Sequence, residues 1–304
     1  MEVWIAITIG AAFLQNIRSS FQKHLKGKIG TTGATFVRFG FGLPVAAFYA
    51  ALVFWWGGYT LPDLNISFGI WVLVAALAQI TAQACLVAMF AWRNFTVGTA
   101  YSRTEPVFAA LFALIFVGEV LPPIGVVAVL VTVLGVMLIS IARPKEGEHI
   151  TLRSFITSLG TRPALIGLAS GTFFGVSAMG YRAASTSLYT PHFFVAAVTT
   201  LLVAITIQTA VMLIYMALRE PDQFGKIVKV WKPAALVGLV GATATFGWFS
   251  AFTLQQAALV KVVAQIEMIF TYATSIFIFR ERINRIEVAG VVLIVLGICA
   301  LLLN

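Results

Sequence analysis

Ten apolar stretches, each about 20 residues long, decide what this chain can become. They are Val3–Gln22, Thr32–Trp56, Phe68–Trp92, Thr96–Val117, Pro122–Ile141, Pro163–Arg182, Pro191–Leu218, Pro233–Gln255, Leu259–Phe279 and Ile286–Leu303. Hydrocarbon offers backbone N–H and C=O groups no partner, so runs of this length cross it as helices, which satisfy those groups internally. With 60% of its 304 residues hydrophobic and only 10% charged, the chain has too little polar surface for a soluble protein. The fold class expected is an all-α polytopic membrane protein. The first run is expected to span rather than be cleaved, because no small-residue cleavage pattern ends it.

A net charge of +9 in a soluble chain would suggest nucleic acid. Here the basic residues sit in the short connections, so the charge reads as topology. Lys23, Lys26, Lys28, Arg93, Arg143, Lys145, Arg153, Arg162, Arg219, Lys226, Lys229, Lys232, Arg280, Arg282 and Arg285 flank one side. Only Arg182 flanks the other, with Glu2, Asp63 and Glu119. The positive-inside rule makes the first side cytoplasmic and puts both termini outside. Cys85 and Cys299 lie in apolar runs, and His24, His149 and His192 are scattered. No disulfide framework, metal site or other cofactor is expected.

The second half repeats the first. A shift of 162 residues, the separation of Glu105 from Glu267, aligns the third to fifth runs with the eighth to tenth without a gap. It places Leu77 on Leu239, Thr81 on Thr243, Phe90 on Phe252, Glu119 on Glu281, and Val133–Gly135 on Val295–Gly297. Five is odd, so the second copy must enter the membrane in the opposite direction. The expected organisation is ten transmembrane helices in two inverted five-helix repeats, residues 1–142 and 163–304, joined by a charged loop at 143–162. Such repeats place a site near the midplane, between the halves.

Several short motifs occur in a recognisable order. Arg38-Phe39 lies in the second run and Lys23 ends the first. Ala91-Trp92-Arg93, Glu105-Pro106-Val107 and Gly118-Glu119-Val120 follow, then Arg280-Glu281-Arg282 and the Gly290–Gly297 stretch. Over essentially its whole length the chain resembles the drug/metabolite transporter superfamily, in its ten-helix EamA branch. The resemblance implies a bacterial inner-membrane transporter. Its members carry amino acids, sugars, nucleotide derivatives, quaternary amines and drugs. Met268 stands where the family often has proline, so the ninth helix is expected to be less bent than the fourth.

Polar groups inside the runs mark the candidate site, because charge at depth costs several kcal/mol unless it faces a cavity or a partner. Arg18 shares a helical face with Gln15, Ser19 and Gln22. Arg38 is expected to pair with Glu105 or Glu267. Arg103 and Glu105 are about 200° apart on a helix and cannot satisfy each other. Tyr101 sits one turn from Glu105, and Gln265 one turn from Lys261. The substrate-binding candidates are Arg18, Gln22, Arg38, Tyr101, Arg103, Lys261 and Gln265. Glu105 and Glu267 are the candidates for carrying a proton.

Secondary active transport is the function these features support. No Gly-x-x-x-x-Gly-Lys-Ser/Thr sequence suggests a pump, and no nucleophile beside a base suggests an enzyme. The buried cations outnumber the carboxylates, which favours a carboxylate or zwitterion such as an amino acid. Proton-coupled efflux of cationic or aromatic compounds is the alternative. The expected partners are this small-molecule substrate, the bilayer and protons. One chain can form the pathway, so a monomer is expected, with a dimer as the alternative.

Overall fold

The computed structural model describes residues 2–89, 101–142, 161–270 and 285–302. Among the described residues the regular structure is entirely helical. The helices are α1 (Val3–Gly40), α2 (Leu43–Ala51), α3 (Ile66–Met89), α4 (Glu105–Phe112), α5 (Pro123–Ala142) and α6 (Arg162–Thr186). They continue as α7 (Phe193–Arg219), α8 (Asp222–Lys229), α9 (Trp231–Leu254), α10 (Ala257–Ala264) and α11 (Arg285–Leu302). Six described helical stretches are long and apolar enough to cross a membrane. Two shorter apolar ones are Glu105–Val117 and Pro123–Ile139.

Local chemistry sets the breaks. α1 turns back on itself at Gly30, whose φ of 67° is left-handed and open to glycine without a Cβ clash. The first arm therefore runs past Gln22, where the apolar pattern stops, and the reversal falls at one residue. Pro44 interrupts the second apolar run, which stays in the right-handed helical region through a turn just before it. The helix ends at Phe41–Gly42, and Pro44 sits in the first turn of α2, where its missing N–H costs nothing. α4 starts the same way, with Pro106 in its first turn. It ends in a π-helical turn, Ala113–Val117, closed by Gly118 at φ 74°.

The ninth span departs from expectation. Without a proline, it still breaks at Gln265, between α10 and the helical residues 266–270. This matches the break before Glu105 in the first half. The short helix α8 also occupies a connection that the apolar pattern leaves blank. Asp222 in its first turn and Lys226 and Lys229 in its last suit the helix dipole, while Gln223 and Ile227 are buried.

Three helix pairs form the frame: α1 with α9, α3 with α6, and α5 with α11. Each is antiparallel. Ala11 meets Gly247 while Arg18 meets Gly241; Ser170 bonds the Ala82 carbonyl while Gly180 meets Ala75. Gly135 lies on Gly290, and Thr132 on Gly297. The 162-residue shift relates α5 to α11, so a helix and its own counterpart run in opposite directions. The glycine face of α6 packs on the fourth span, Gly171 against Ser102 and Gly175 against Phe108, as small-residue spacing suggests. Trp55 and Trp56 are 90% and 87% exposed, as lipid-facing aromatics are.

Candidate functional site

A cavity of about 150 Å³ lies between the two halves. α1 supplies Gln15, Arg18, Ser19 and Arg38, and α3 supplies Gln79. The two interrupted spans supply Arg103, Glu105, Lys261 and Glu267; α6 and α9 supply Ser177, Tyr181, Trp248 and Phe249. An interruption leaves backbone and charged side chains together at depth, tolerated only where they line a cavity.

Among the described residues two ion pairs cross the cavity, each joining one half to the other. Arg103 donates from Nη1 to Glu267 Oε2 at 3.2 Å and from Nη2 to Oε1 at 3.3 Å, a two-pronged contact. Gln15 Nε2 also donates to Glu267 Oε2, at 3.3 Å, and Trp248 Nε1 donates to Gln15 Oε1 at 3.1 Å. Lys261 Nζ lies 2.7 Å from Glu105 Oε1. It also stands 4.6 Å from the Trp248 ring centre and 5.6 Å from that of Phe252, so the rings share its charge.

Arg18 and Arg38 are different. Both are almost fully buried, at 3% and 4% exposure, and both lay their stems against the bare backbone of Gly241. Arg38 donates from Nη1 to Gln83 Oε1 at 2.8 Å, and neither guanidinium reaches a carboxylate among the described residues. This corrects the pairing expected of Arg38: Lys261 and Arg103 occupy both glutamates first.

Six of the nine candidates thus meet round one cavity: Arg18, Arg38, Arg103, Glu105, Lys261 and Glu267. Gln22, Tyr101 and Gln265 lie outside its lining. Gln22 Nε2 donates to the Ala34 carbonyl across the Gly30 reversal, at 2.5 Å. Tyr101 is buried where the fourth span breaks, and Gln265 forms the break in the ninth. The pattern reading missed a neighbouring polar cluster. Gln208 Nε2 donates to Gln79 Oε1 at 2.7 Å and to the Tyr181 hydroxyl at 3.0 Å, and that hydroxyl donates to Gln79 Oε1 at 3.0 Å. Lone glutamines inside the apolar runs of α3 and α7 are the signal that could have found it. Trp92, Arg93, Thr99 and Glu281 fall outside the described residues.

A second tie between the halves sits beside the cavity. Arg182 Nε donates to Glu119 Oε1 at 2.6 Å, and its Nη1 to the Phe252 carbonyl at 2.7 Å. One guanidinium therefore fastens the end of the fourth span to α6 and α9. Gln256 Nε2 reaches the Val120 carbonyl at 3.2 Å close by.

A profile of the EamA-like transporter family matches residues 2–141 and again 161–303. The chain belongs to the EamA-like transporter family. It is accordingly an integral membrane protein and a transporter of the drug/metabolite superfamily, and the double match states its two-repeat build. No curated protein sequence gives a significant match. Among solved structures, one crystal structure 15% identical superposes with a TM-score of 0.71, covering 99% of this chain and 96% of that one. At that identity the likeness to the EamA-like chain is one of fold.

Proposed function

We propose that the chain is a secondary active transporter moving a small polar metabolite, a carboxylate or zwitterion, by alternating access. Ten spans in two inverted five-helix repeats, 1–142 and 163–304 about the 143–162 loop, rock around the central cavity. The observation that carries this reading is the cavity's position between the halves, with both of its ion pairs crossing from one half to the other. Rocking would separate and remake those contacts, and opening the Arg182 end requires the Glu119 clasp to let go. A carboxylate can take up a proton once its cation withdraws, so Glu105 and Glu267 are the groups through which protons would be exchanged. Both are engaged here by cations of the protein itself, which disfavours an organic cation as cargo.

The test is uptake into proteoliposomes from a panel of labelled organic anions, amino acids and quaternary amines. Saturable uptake of an acid or zwitterion is expected, and Arg103→Ala and Glu105→Gln should each abolish it while inserting normally. Uptake confined to cations would overturn the substrate class. Normal uptake by either variant would remove that residue from the site.

A further inference from the structure

The cavity is not electrically balanced. Arg18, Arg38, Arg103 and Lys261 face Glu105 and Glu267, which leaves two positive charges in excess among the described lining residues. The excess has an address. Arg103 and Lys261 hold the carboxylates, so the surplus sits on Arg18 and Arg38, side by side over Gly241.

Arg18 is the more exposed to this cost in energy while being closed off from water. Among the described residues its Nε and Nη1 are buried with no hydrogen-bond partner, and its side-chain hydrogen bond is a long 3.4 Å donation from Nη2 to Ser19 Oγ. Buried guanidinium donors left unmade are costly, and two like charges together are costlier still. A fold meets such a cost where an anion arrives to remove it. Aromatic side chains share the lining, with the Tyr181 and Phe249 ring centres 4.1 Å apart and Trp248 stacked near Phe252. A cavity of about this volume admits a benzene-sized ring.

Resting on the transport reading, we infer that the cargo is a doubly charged organic anion, a phosphate monoester or dicarboxylate, with its acid group on Arg18 and Arg38. Two negative charges neutralise the surplus; a zwitterion, with no net charge, leaves it in place. Donors from both guanidinium groups suit the several oxygens of such an acid. The carbon part then meets the aromatic walls. Arg103 stays with Glu267 and is not the first anchor.

The test uses the purified protein and its melting temperature, which any ligand of the folded state raises. The probes are inorganic phosphate, phenyl phosphate, phthalate, benzoate, phenylalanine and benzylammonium. Phenyl phosphate and phthalate should raise it by several degrees at concentrations about 100 times Kd, and benzoate by less. Phenylalanine and benzylammonium should do little. Arg18→Met and Arg38→Met should each weaken phenyl phosphate binding at least about tenfold. Both variants should melt higher than the parent when empty, because an uncompensated buried charge has gone. That second readout separates a binding pair from a structural one.

Equal stabilisation by phenylalanine or benzylammonium, or an unchanged phosphate response in both variants, overturns the inference. The transport reading survives either result, since a ligand has then been seen. Variants that melt lower with an unaltered phosphate response mark a structural pair and overturn it too. Silence from every probe also overturns it, and the labelled-solute screen then shows whether the transport reading falls as well.

Discussion

Replacing Glu267 with glutamine is expected to abolish transport and to lower stability by about 3 kcal/mol. The carboxylate accepts both terminal nitrogens of Arg103 and the amide of Gln15, which in turn holds the Trp248 indole. Glutamine keeps the volume but loses the charge and one acceptor. Arg103, Arg18 and Arg38 then share the cavity as three cations against Glu105, itself engaged by Lys261. Breaking a buried pair from one side costs about 3–5 kcal/mol. The lower figure applies because the Arg103 side chain is 34% exposed, so water screens part of its charge. Adding Arg103→Gln should recover most of the lost stability without recovering transport, since the two changes are coupled. Melting temperature and proteoliposome uptake read the two effects separately. Uptake at the parent rate in Glu267→Gln would remove the cross-half pair from the transport cycle.

The second large effect belongs to the seam between α5 and α11. A Cβ on Gly290 would lie 2.6 Å from the Gly135 carbonyl oxygen and 2.6 Å from Ile139 Cγ1. A Cβ on Gly135 would lie 2.6 Å from the Gly290 carbonyl oxygen in return. Backbone cannot swing aside as a flexible side chain can, so the two helices must separate. Gly290→Val is expected to destabilise the protein by about 3 kcal/mol, the upper range for overpacking. It should also broaden the size-exclusion peak. Gly225→Ala, inside α8 where nothing lies within 4 Å, is the control and should neither lower stability nor broaden the peak. A Gly290→Val protein melting with the parent would mean that the seam is looser than its close approach indicates.

Much of the fold was legible because its causes are local. Apolar length fixes a spanning helix, and two glutamates in register expose the repeat. Arg103 and Glu105 visibly could not pair with each other, so each needed a partner on another helix or in water, and Glu267 and Lys261 supply them. What was not legible depends on neighbours distant in sequence. Arg38 reaches Gln83 because both carboxylates are already occupied, and no pattern along one chain reveals that competition. The break at Gln265 has no proline to announce it; it is held by turn bonds from the Gln265 N–H to Val262 and from the Met268 N–H to Gln265. Gln22 shares a face with Arg18, yet the reversal at Gly30 brings the Ala34 carbonyl within its reach and draws it from the cavity.

The central claim is that one cavity opens to each side of the membrane in turn, and labelling of a single cysteine tests it. Ser19 lines the cavity and is half-buried, so Ser19→Cys places a thiol there with little change in size. Cys85 and Cys299 would first be replaced. A membrane-impermeant thiol reagent is then applied to sealed vesicles from each face. Reaction from both faces is expected. Adding Arg182→Gln, which releases the Glu119 clasp, should raise labelling from the Arg182 face and lower it from the other. Labelling confined to one face, and unmoved by the clasp variant, would contradict alternating access through this cavity.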